Sequence, residues 1–236
     1  MSRSHLRADL GVIADLIQPQ EKVLDLGCGD GSLLRHLIDT KRIVGRGVEL
    51  AEPKVLACVR NGVSVRQGDL HEELRDYPEH SFDTVILSYG LPYLNDPAFI
   101  VSNMLRVGRR AIVSFPNWGH WRCRLGLLAT GRMPTAPGDP QAWDEPPRAR
   151  GMTIADFRSF CAAHNVRVTT ATFLQGAQRV PDRFDTNLRA TWAVFELRER
   201  SGKASFLSRV SSRFQTDVLR FQALIQLVPH NEFTDL

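Results

Sequence analysis

A short glycine-rich loop with acids around it is the segment of this sequence best suited to bind a ligand. Residues 25–31 are Asp-Leu-Gly-Cys-Gly-Asp-Gly, which follow a short apolar run and precede a helical pattern. Glycines allow the backbone to turn tightly and to approach a ligand closely, next to the positive end of a helix. The spacing is not the Gly-x-Gly-x-x-Gly of dinucleotide-binding loops, and the Lys-Ser/Thr of phosphate loops is missing. Because Asp25 and Asp30 would repel a phosphate, the loop favours a neutral or cationic ligand.

Three more acids occur at or beside the ends of the next predicted strands. Glu49 ends the second strand and Asp69 ends the third, while Asp83 begins the fourth, whose outlet is Ser88. Open α/β sheets bind ligands at the carboxyl ends of their strands. Glu49 is placed to accept from both hydroxyls of a ribose, and Asp69 from the exocyclic amine of an adenine. Any one of these acids could be a helix cap or a solvated strand end, but their order along the sheet predicts an adenosine ligand.

The loop and the acids together resemble the S-adenosylmethionine (SAM) site of class I methyltransferases, in which an acid beside the loop handles the amino-acid end of SAM. The cofactor-binding residues indicated in this way are Asp25, Gly27, Cys28, Gly29, Gly31, Glu49, Leu50, Asp69, Leu70 and Ser88. We expect Cys28 to be a small packed side chain rather than a nucleophile. The four cysteines are scattered and form no Cys-x-x-Cys pair, so we expect reduced, mostly buried thiols and no metal site.

The residues that would act on a methyl acceptor are not evident, and the catalytic residues stay unassigned. The Asn/Asp-Pro-Pro-Tyr/Phe motif that serves methylation of amino groups would follow the fourth strand, but residues 88–94 are Ser-Tyr-Gly-Leu-Pro-Tyr-Leu. A methyl transfer needs little beyond positioning and one general base. His120, between Gly119 and Trp121, is the histidine best placed for a lid. It either contacts a ligand, or packs and binds the backbone.

The elements that must position these residues alternate between strand and helix over the first 115 residues. Hydrophobic periodicity predicts strands at 22–26, 43–50, 63–69, 82–88 and 110–115, and helices at 5–18, 32–38, 53–59 and 97–105. This alternation predicts a parallel sheet with helices on both faces. After a further helix near Ile154, strands at 166–173 and 191–197 would complete a mostly parallel seven-stranded sheet by an antiparallel hairpin. The predicted fold class is therefore α/β, a Rossmann-like class I methyltransferase fold.

Two segments depart from this alternation. Residues 116–150 hold six prolines and three tryptophans, a composition typical of a lid or binding loop inserted in a domain. Beyond residue 200, apolar residues recur at helical spacing and predict an amphipathic helix: Phe206, Val210, Phe214, Val218, Phe221 and Ile225. The apolar face of that helix would dock on its own domain, on a second copy of the chain or on a partner. We therefore divide the chain into a domain at 1–200 and a tail at 201–236.

Length and composition exclude several classes of protein. The 236 residues, 43% apolar and 24% charged, suffice for one large domain and are too apolar for wholesale disorder. No run of about 18 apolar residues would cross a membrane. The opening ten residues carry charges where a signal peptide is apolar, so we expect a cytoplasmic protein. The net charge is only +4, with basic and acidic residues interleaved, which argues against nucleic-acid binding.

Longer stretches of the chain resemble the MetW family of methionine biosynthesis proteins. The resembling stretches are residues 23–34, Gly47-Val-Glu, Gln67-Gly-Asp, residues 81–88, residues 104–122 and Gly131-Arg-Met-Pro. The glycine and aspartate elements are generic to class I methyltransferases. Residues 105–110 (Leu-Arg-Val-Gly-Arg-Arg), followed by residues 114–121 (Ser-Phe-Pro-Asn-Trp-Gly-His-Trp), are far more particular. The similarity covers about residues 3–198, while residues 89–92 and 144–150 depart from the family pattern.

The resemblance implies a SAM-binding protein that works with the homoserine O-acyltransferase of methionine synthesis and senses the downstream product of the pathway. A second interpretation is an active SAM-dependent methyltransferase on a small-molecule metabolite, with Tyr89, Tyr93 and the tryptophan-rich loop shaping the acceptor pocket. A third is an interaction module that has lost its ligand, against which Asp25, Glu49 and Asp69 argue. The sequence identifies neither a methyl acceptor nor an oligomeric state, although the tail would allow self-association.

Overall fold

An eight-stranded sheet is the centre of the computed structural model, which describes residues 6–136 and 150–200. The strands are β1 (Lys22–Leu26), β2 (Val44–Glu49), β3 (Val65–Gln67), β4 (Phe82–Ser88), β5 (Gly108–Pro116), β6 (Val166–Gln175), β7 (Gln178–Val180) and β8 (Trp192–Glu199). The helices are α1 (Ala8–Leu16), α2 (Ser32–Lys41), α3 (Glu52–Arg60), α4 (Leu70–Asp76), α5 (Pro97–Val107), α6 (Trp121–Thr130), α7 (Ile154–Ala163) and α8 (Thr186–Arg189). A 3₁₀ turn, Leu91–Tyr93, follows β4.

The order of the strands locates the place where a ligand binds in folds of this class. The order is β3-β2-β1-β4-β5-β8-β6-β7, with β1 to β5 parallel and the last three strands in antiparallel pairings. From β1 the chain adds β2 and β3 on one side, and then returns to add β4 and β5 on the other side of β1. The strand order therefore reverses between β1 and β4. Open α/β sheets bind ligands beyond the carboxyl ends of their strands at such a reversal. The ends of β1 and β4, where Leu26 pairs with Leu87, therefore mark the expected site.

Helices cover both faces of the sheet because the central strands have no polar face. In β4, every residue from Thr84 to Leu87 is buried. Helices α1, α2 and α3 pack on one face through residues such as Ile13 and Leu37. Helices α4, α5 and α7 pack on the other through residues such as Ile100 and Phe157. Each large side chain buried in this way contributes about 1.5–3 kcal/mol, so the strand ends stand on a rigid support.

The sheet has one strand more than the seven that the sequence predicts. After β6 the chain makes a tight turn at Gly176, whose φ is 61°, and returns as the three-residue strand β7. Strand β8 then lies between β5 and β6 and pairs with both. The tight hairpin is therefore β6–β7, not β6–β8. A strand as short as Gln178–Val180 contains too few residues to display an alternating pattern.

The insert at 116–150 contains a helix that its proline-rich composition did not indicate. Helix α6 is exposed nearly all round, since Cys123 is its one buried residue. The large apolar side chains that it exposes are Trp121, Leu125, Leu127 and Leu128. A helix with apolar residues on exposed sides has no single apolar face, so periodicity does not reveal it. The rest of the predicted lid, residues 137–149, and the predicted tail helix at 201–236 lie outside the described residues, and both stay predictions.

The described part of the chain shows the state of the four cysteines. All four cysteines are buried free thiols, as predicted. Within residues 6–136 and 150–200, no group of three His, Cys, Asp or Glu side chains is arranged to hold a metal ion. Over the same residues, no helix is long and apolar enough to cross a membrane.

Candidate cofactor-binding site

The glycine loop begins where β1 ends and leads directly into α2. Gly27, Gly29 and Gly31 have φ values of 67°, 60° and 76°, in the left-handed region that favours glycine. A Cβ atom on Gly27 or Gly29 would meet nothing within 4 Å, whereas one on Gly31 would lie 3.0 Å from Cys58 Sγ. The first two glycines therefore face open space, while the third packs against α3.

Cys28 lies within this loop, and its side chain is buried in the core. Its Sγ lies 3.6 Å from Cys58 Sγ, and burial raises the pKa of the Cys28 thiol far above its ordinary range. A Cβ atom on Gly47 of β2 would overlap Cys28 Sγ, so the loop and β2 approach each other as closely as glycine permits. The side chain of Cys28 has a packing role, and its contribution to a ligand would come through the backbone.

Glu49, at the end of β2, ties the glycine loop to the neighbouring strand. Its Oε2 accepts from the Gly29 N–H at 2.9 Å, and its Oε1 accepts from the Leu50 and Ala51 N–H groups at 3.1 and 3.0 Å. An ionised carboxylate offers about four lone-pair positions, of which these bonds use three. Glu49 can accept from one further hydroxyl directly. Accepting from both hydroxyls of a ribose requires one backbone N–H to leave the carboxylate.

Asp25 is a buried acid at the foot of the loop, only 4% exposed. Burial raises its pKa to about 7, repulsion from Glu49 acts in the same direction, and attraction to Arg7 opposes both. A cationic group placed beside Asp25 would stabilise its charged form and lower that pKa. The buried acid therefore favours a ligand with a positive centre.

We expect the Asp25→Asn variant to reveal this raised pKa in its stability. Between about pH 4 and 7 the folded protein keeps a proton on Asp25 that the unfolded chain has lost. The free energy of unfolding of the wild type therefore falls as pH rises through this window, by about 1 kcal/mol per pH unit. Above pH 7 the loss caused by Asp25 stays constant. The asparagine side chain of the variant does not ionise and avoids that loss. Urea unfolding at pH 5 and pH 8 should show the variant gaining stability over the wild type, and a difference that does not change with pH would contradict the assignment.

The remaining predicted residues lie around the same strand ends, with one exception. Asp69 is the N-cap of α4, where its Oδ1 accepts from the His71 N–H at 2.7 Å while half of the side chain stays exposed. Leu50 is 65% exposed beside Glu49, and Leu70 is partly buried. Asp83 lies at the opposite end of β4, where it accepts from the Lys22 N–H at 2.9 Å. Its grouping with the other acids is therefore wrong, because it begins a strand that they would end.

Ser88 belongs to a polar cluster that the sequence analysis missed. Its hydroxyl accepts from Arg7 Nη2 at 2.6 Å and donates to Asp9 Oδ2 at 3.1 Å, and Ser114 Oγ donates to the same Asp9 oxygen at 2.7 Å. Arg7 and Asp9 precede and begin α1, whereas Ser88 and Ser114 pair across the ends of β4 and β5. No local pattern joins residues that are 79 and 105 positions apart, so periodicity and motifs could not have found this cluster.

His120 has the backbone-binding role, one of the two alternatives left open by the sequence. It is only 3% exposed and caps α6, where its Nδ1 accepts from the Arg122 N–H at 3.2 Å. Burial and the neighbouring Arg122 both lower its pKa. Among the described residues, its burial and its bond to the end of α6 assign it a structural role.

The geometry as a whole suits a cationic adenosine derivative such as SAM. The open space above Gly27 and Gly29 admits close backbone approach, and Glu49 offers an acceptor for a sugar hydroxyl. Asp25 and Asp30 make the same position unfavourable for a phosphate. The open loop, the hydroxyl acceptor and the buried acid therefore fit SAM.

Comparisons with known proteins point the same way. The family model "Methionine biosynthesis protein MetW" matches residues 7–197. A bifunctional methionine biosynthesis protein MetXA/MetW of Rhodopirellula baltica is 36% identical over 200 residues, which is 80% of this chain and 32% of that protein. The chain thus spans about a third of the length of this relative.

Solved structures show the same fold at low sequence identity. A SAM-dependent methyltransferase from Archaeoglobus fulgidus matches 84% of this chain and 95% of its own, with a TM-score of 0.62 and 15% identity. The [4+2]-cyclase SpnF matches 82% of this chain and 81% of its own, with a TM-score of 0.59 and 14% identity. These likenesses show a Rossmann-like methyltransferase fold, and a cyclase among them shows that the fold alone does not define the reaction. From the family match over residues 7–197, we conclude that the chain belongs to the methionine biosynthesis protein MetW family.

Proposed function

We propose that this chain is a SAM-binding regulatory partner of the homoserine O-acyltransferase of methionine biosynthesis, in the cytoplasm. The observation that carries the proposal is the relative in which a MetW part and a MetXA part share one polypeptide. Fusion holds two modules at a high effective concentration and in a fixed ratio, which benefits proteins that act together. SAM is formed from methionine, so a SAM site on the acyltransferase partner would report the supply of the end product.

The residues that would hold SAM are those at the ends of β1 to β4, with Asp69, after β3, for the adenine. Glu49 would accept from the ribose, and the backbone at Gly27 and Gly29 would lie against the methionine part. Asp25 would face the positive charge of the ligand, which offsets the cost of its burial. Bound SAM supplies an electrophilic methyl group, whether or not this protein transfers it.

An acyltransferase assay tests the regulatory role. The homoserine O-acyltransferase of the source organism is assayed alone, with this chain, and with this chain and SAM. We expect SAM to change the acyltransferase rate only when the chain is present. Glu49→Ala should remove the response to SAM, whereas Asp83→Ala, an acid at the opposite end of β4, should keep it. A rate that depends on neither the chain nor SAM would contradict the proposal even if the chain binds SAM.

An active methyltransferase is the second candidate, and an aromatic cluster beside the site favours it. The Tyr89 ring centroid lies 5.4 Å from that of Tyr93 and 5.6 Å from that of Trp192, at the end of the sheet where β4 ends. Tyr93 Oη donates to Tyr89 Oη at 2.9 Å, so the two rings form one wall. Tyr89 and Tyr93 are only partly buried, so their rings would offer an acceptor an aromatic surface, whereas Trp192 is buried. Incubation with methyl-labelled SAM and a metabolite extract would transfer label to a small molecule if this candidate is right.

A further inference from the structure

The guanidinium of Arg7 is held in one orientation near the candidate cofactor site. Its Nε and Nη2 donate to the two carboxylate oxygens of Asp9 at 2.6 and 2.9 Å, and Nη2 also donates to Ser88 Oγ at 2.6 Å. A paired carboxylate–guanidinium contact of this kind fixes the guanidinium plane as well as its position. Of the five N–H donors of an arginine, these bonds use three, and within residues 6–136 and 150–200 the two on Nη1 donate to no other side chain or backbone oxygen.

The acid that orients Arg7 is itself fully enclosed. Asp9 is 1% exposed, and Ser114 Oγ and Ser88 Oγ donate to its Oδ2 at 2.7 and 3.1 Å. A buried carboxylate with an ion-pair partner and two hydroxyl donors cannot readily move. Asp9 therefore anchors Arg7 to the ends of β4 and β5.

Two neighbouring aromatic rings contact the guanidinium on one side. The guanidinium carbon lies 5.3 Å from the Tyr89 ring centroid and 4.9 Å from the Trp192 ring centroid. Tyr89 has a φ of 64°, a left-handed conformation that costs a non-glycine residue about 1–2 kcal/mol. The surrounding fold sustains this strain at the residue that follows β4, and the ring it places there contacts Arg7.

The position of Arg7 relative to the glycine loop follows from the strand register. Leu26, the last residue of β1, pairs with Leu87, so Ser88 ends β4 next to the point where β1 leads into Gly27. Neighbouring strands lie about 4.8 Å apart. The bond from Arg7 to Ser88 therefore places the guanidinium near the carboxyl end of β1, where its charge acts to lower the pKa of Asp25 against the larger effect of burial. Although Asp9 pins it, the Arg7 side chain is 41% exposed.

We propose that Arg7 binds the carboxylate of the methionine part of SAM through the two N–H donors of Nη1. This inference rests on the proposed SAM site and adds to it the residue that selects a ligand with a free carboxylate. A guanidinium that is oriented beforehand loses little freedom on binding, so its contribution to affinity is large for a single contact. Asp25 and Arg7 would then meet the positive and the negative groups of the same ligand.

The test compares SAM with decarboxylated SAM, which lacks only the carboxylate, by calorimetric titration of the full chain. The wild type should bind SAM about tenfold more tightly than the decarboxylated form, as one charge-assisted contact allows. Arg7→Gln should weaken SAM alone, so that both ligands bind equally. Arg179→Gln, an exposed arginine paired with Asp15, is the matched control and should keep the preference.

A second variant distinguishes a loss of carboxylate binding from a loss of the fold. Arg7→Gln leaves Asp9 buried without its cation, whereas Arg7→Gln combined with Asp9→Asn removes both charges. The double variant should also bind the two ligands equally. If either variant keeps the wild-type preference for SAM, the inference is overturned while the SAM site stands. A wild type that binds neither ligand would instead overturn the proposed function, and this inference with it.

Discussion

Replacing Gly29 with valine is expected to abolish SAM binding while the protein stays folded. Gly29 has a φ of 60°, which a β-branched residue resists, and its N–H donates to Glu49 Oε2. A Cβ atom there meets nothing within 4 Å, so the new side chain would stand in the open space that the ligand needs. The strain alone costs about 1–2 kcal/mol, which a domain of this size can bear. Calorimetric titration measures the binding, and circular dichroism checks the fold.

Gly176→Val is the matched control for this experiment. Gly176 has nearly the same φ, 61°, and it also has no atom within 4 Å of the position of a Cβ, but it lies in the turn between β6 and β7. The two variants should lose similar stability, and only the one in the loop should lose SAM. Normal SAM binding by Gly29→Val would show that the glycines serve the turn alone.

Replacing Glu49 with alanine is expected to weaken SAM binding by about 1.5–3 kcal/mol, tenfold or more, because hydrogen bonds to a charged acceptor are strong. The variant loses the acceptor for the ribose and also the bond that holds the Gly29 N–H. Titration of the purified variant with SAM measures the loss.

Two further variants separate the charge of Glu49 from its structural role. Glu49→Gln keeps a carbonyl oxygen that can accept from a backbone N–H, so its stability should exceed that of Glu49→Ala while SAM affinity is still reduced. Asp83→Ala removes an acid from the other end of β4 and should leave the affinity unchanged. Equal affinity in the wild type and in Glu49→Ala would contradict the assignment of the site.

Much of the candidate site could be predicted because its signals are local. A short apolar run that ends in glycines identifies the end of β1, and Glu49 follows β2 in the same way. Parallel strands bring their carboxyl ends to one end of the sheet, so the order of Asp25, Glu49 and Asp69 in the sequence becomes proximity in the structure. Asp83 was wrongly grouped with these acids. It begins β4, so it lies at the amino end of the parallel strands, opposite the candidate site.

Two elements, β7 and α6, have no hydrophobic pattern in the sequence that would predict them. Strand β7 has three residues, and its pairing with β6 comes from the turn at Gly176 rather than from its own pattern. Helix α6 exposes apolar residues on several sides, so it lacks the single apolar face that periodicity detects. In both cases the environment, and not the intrinsic pattern, decides the conformation.

The sequence by itself determined the parallel α/β architecture, the glycine loop and the acids that follow the first three strands. These features depend on side-chain period and on backbone freedom, which are properties of a few consecutive residues. Only the tertiary structure brought Arg7 and Asp9 against Ser88, Ser114 and Trp192, and only it raised the pKa of Asp25. Contacts across 79 or more residues, and the loss of water around a buried acid, arise when the chain packs and cannot be read from neighbouring residues.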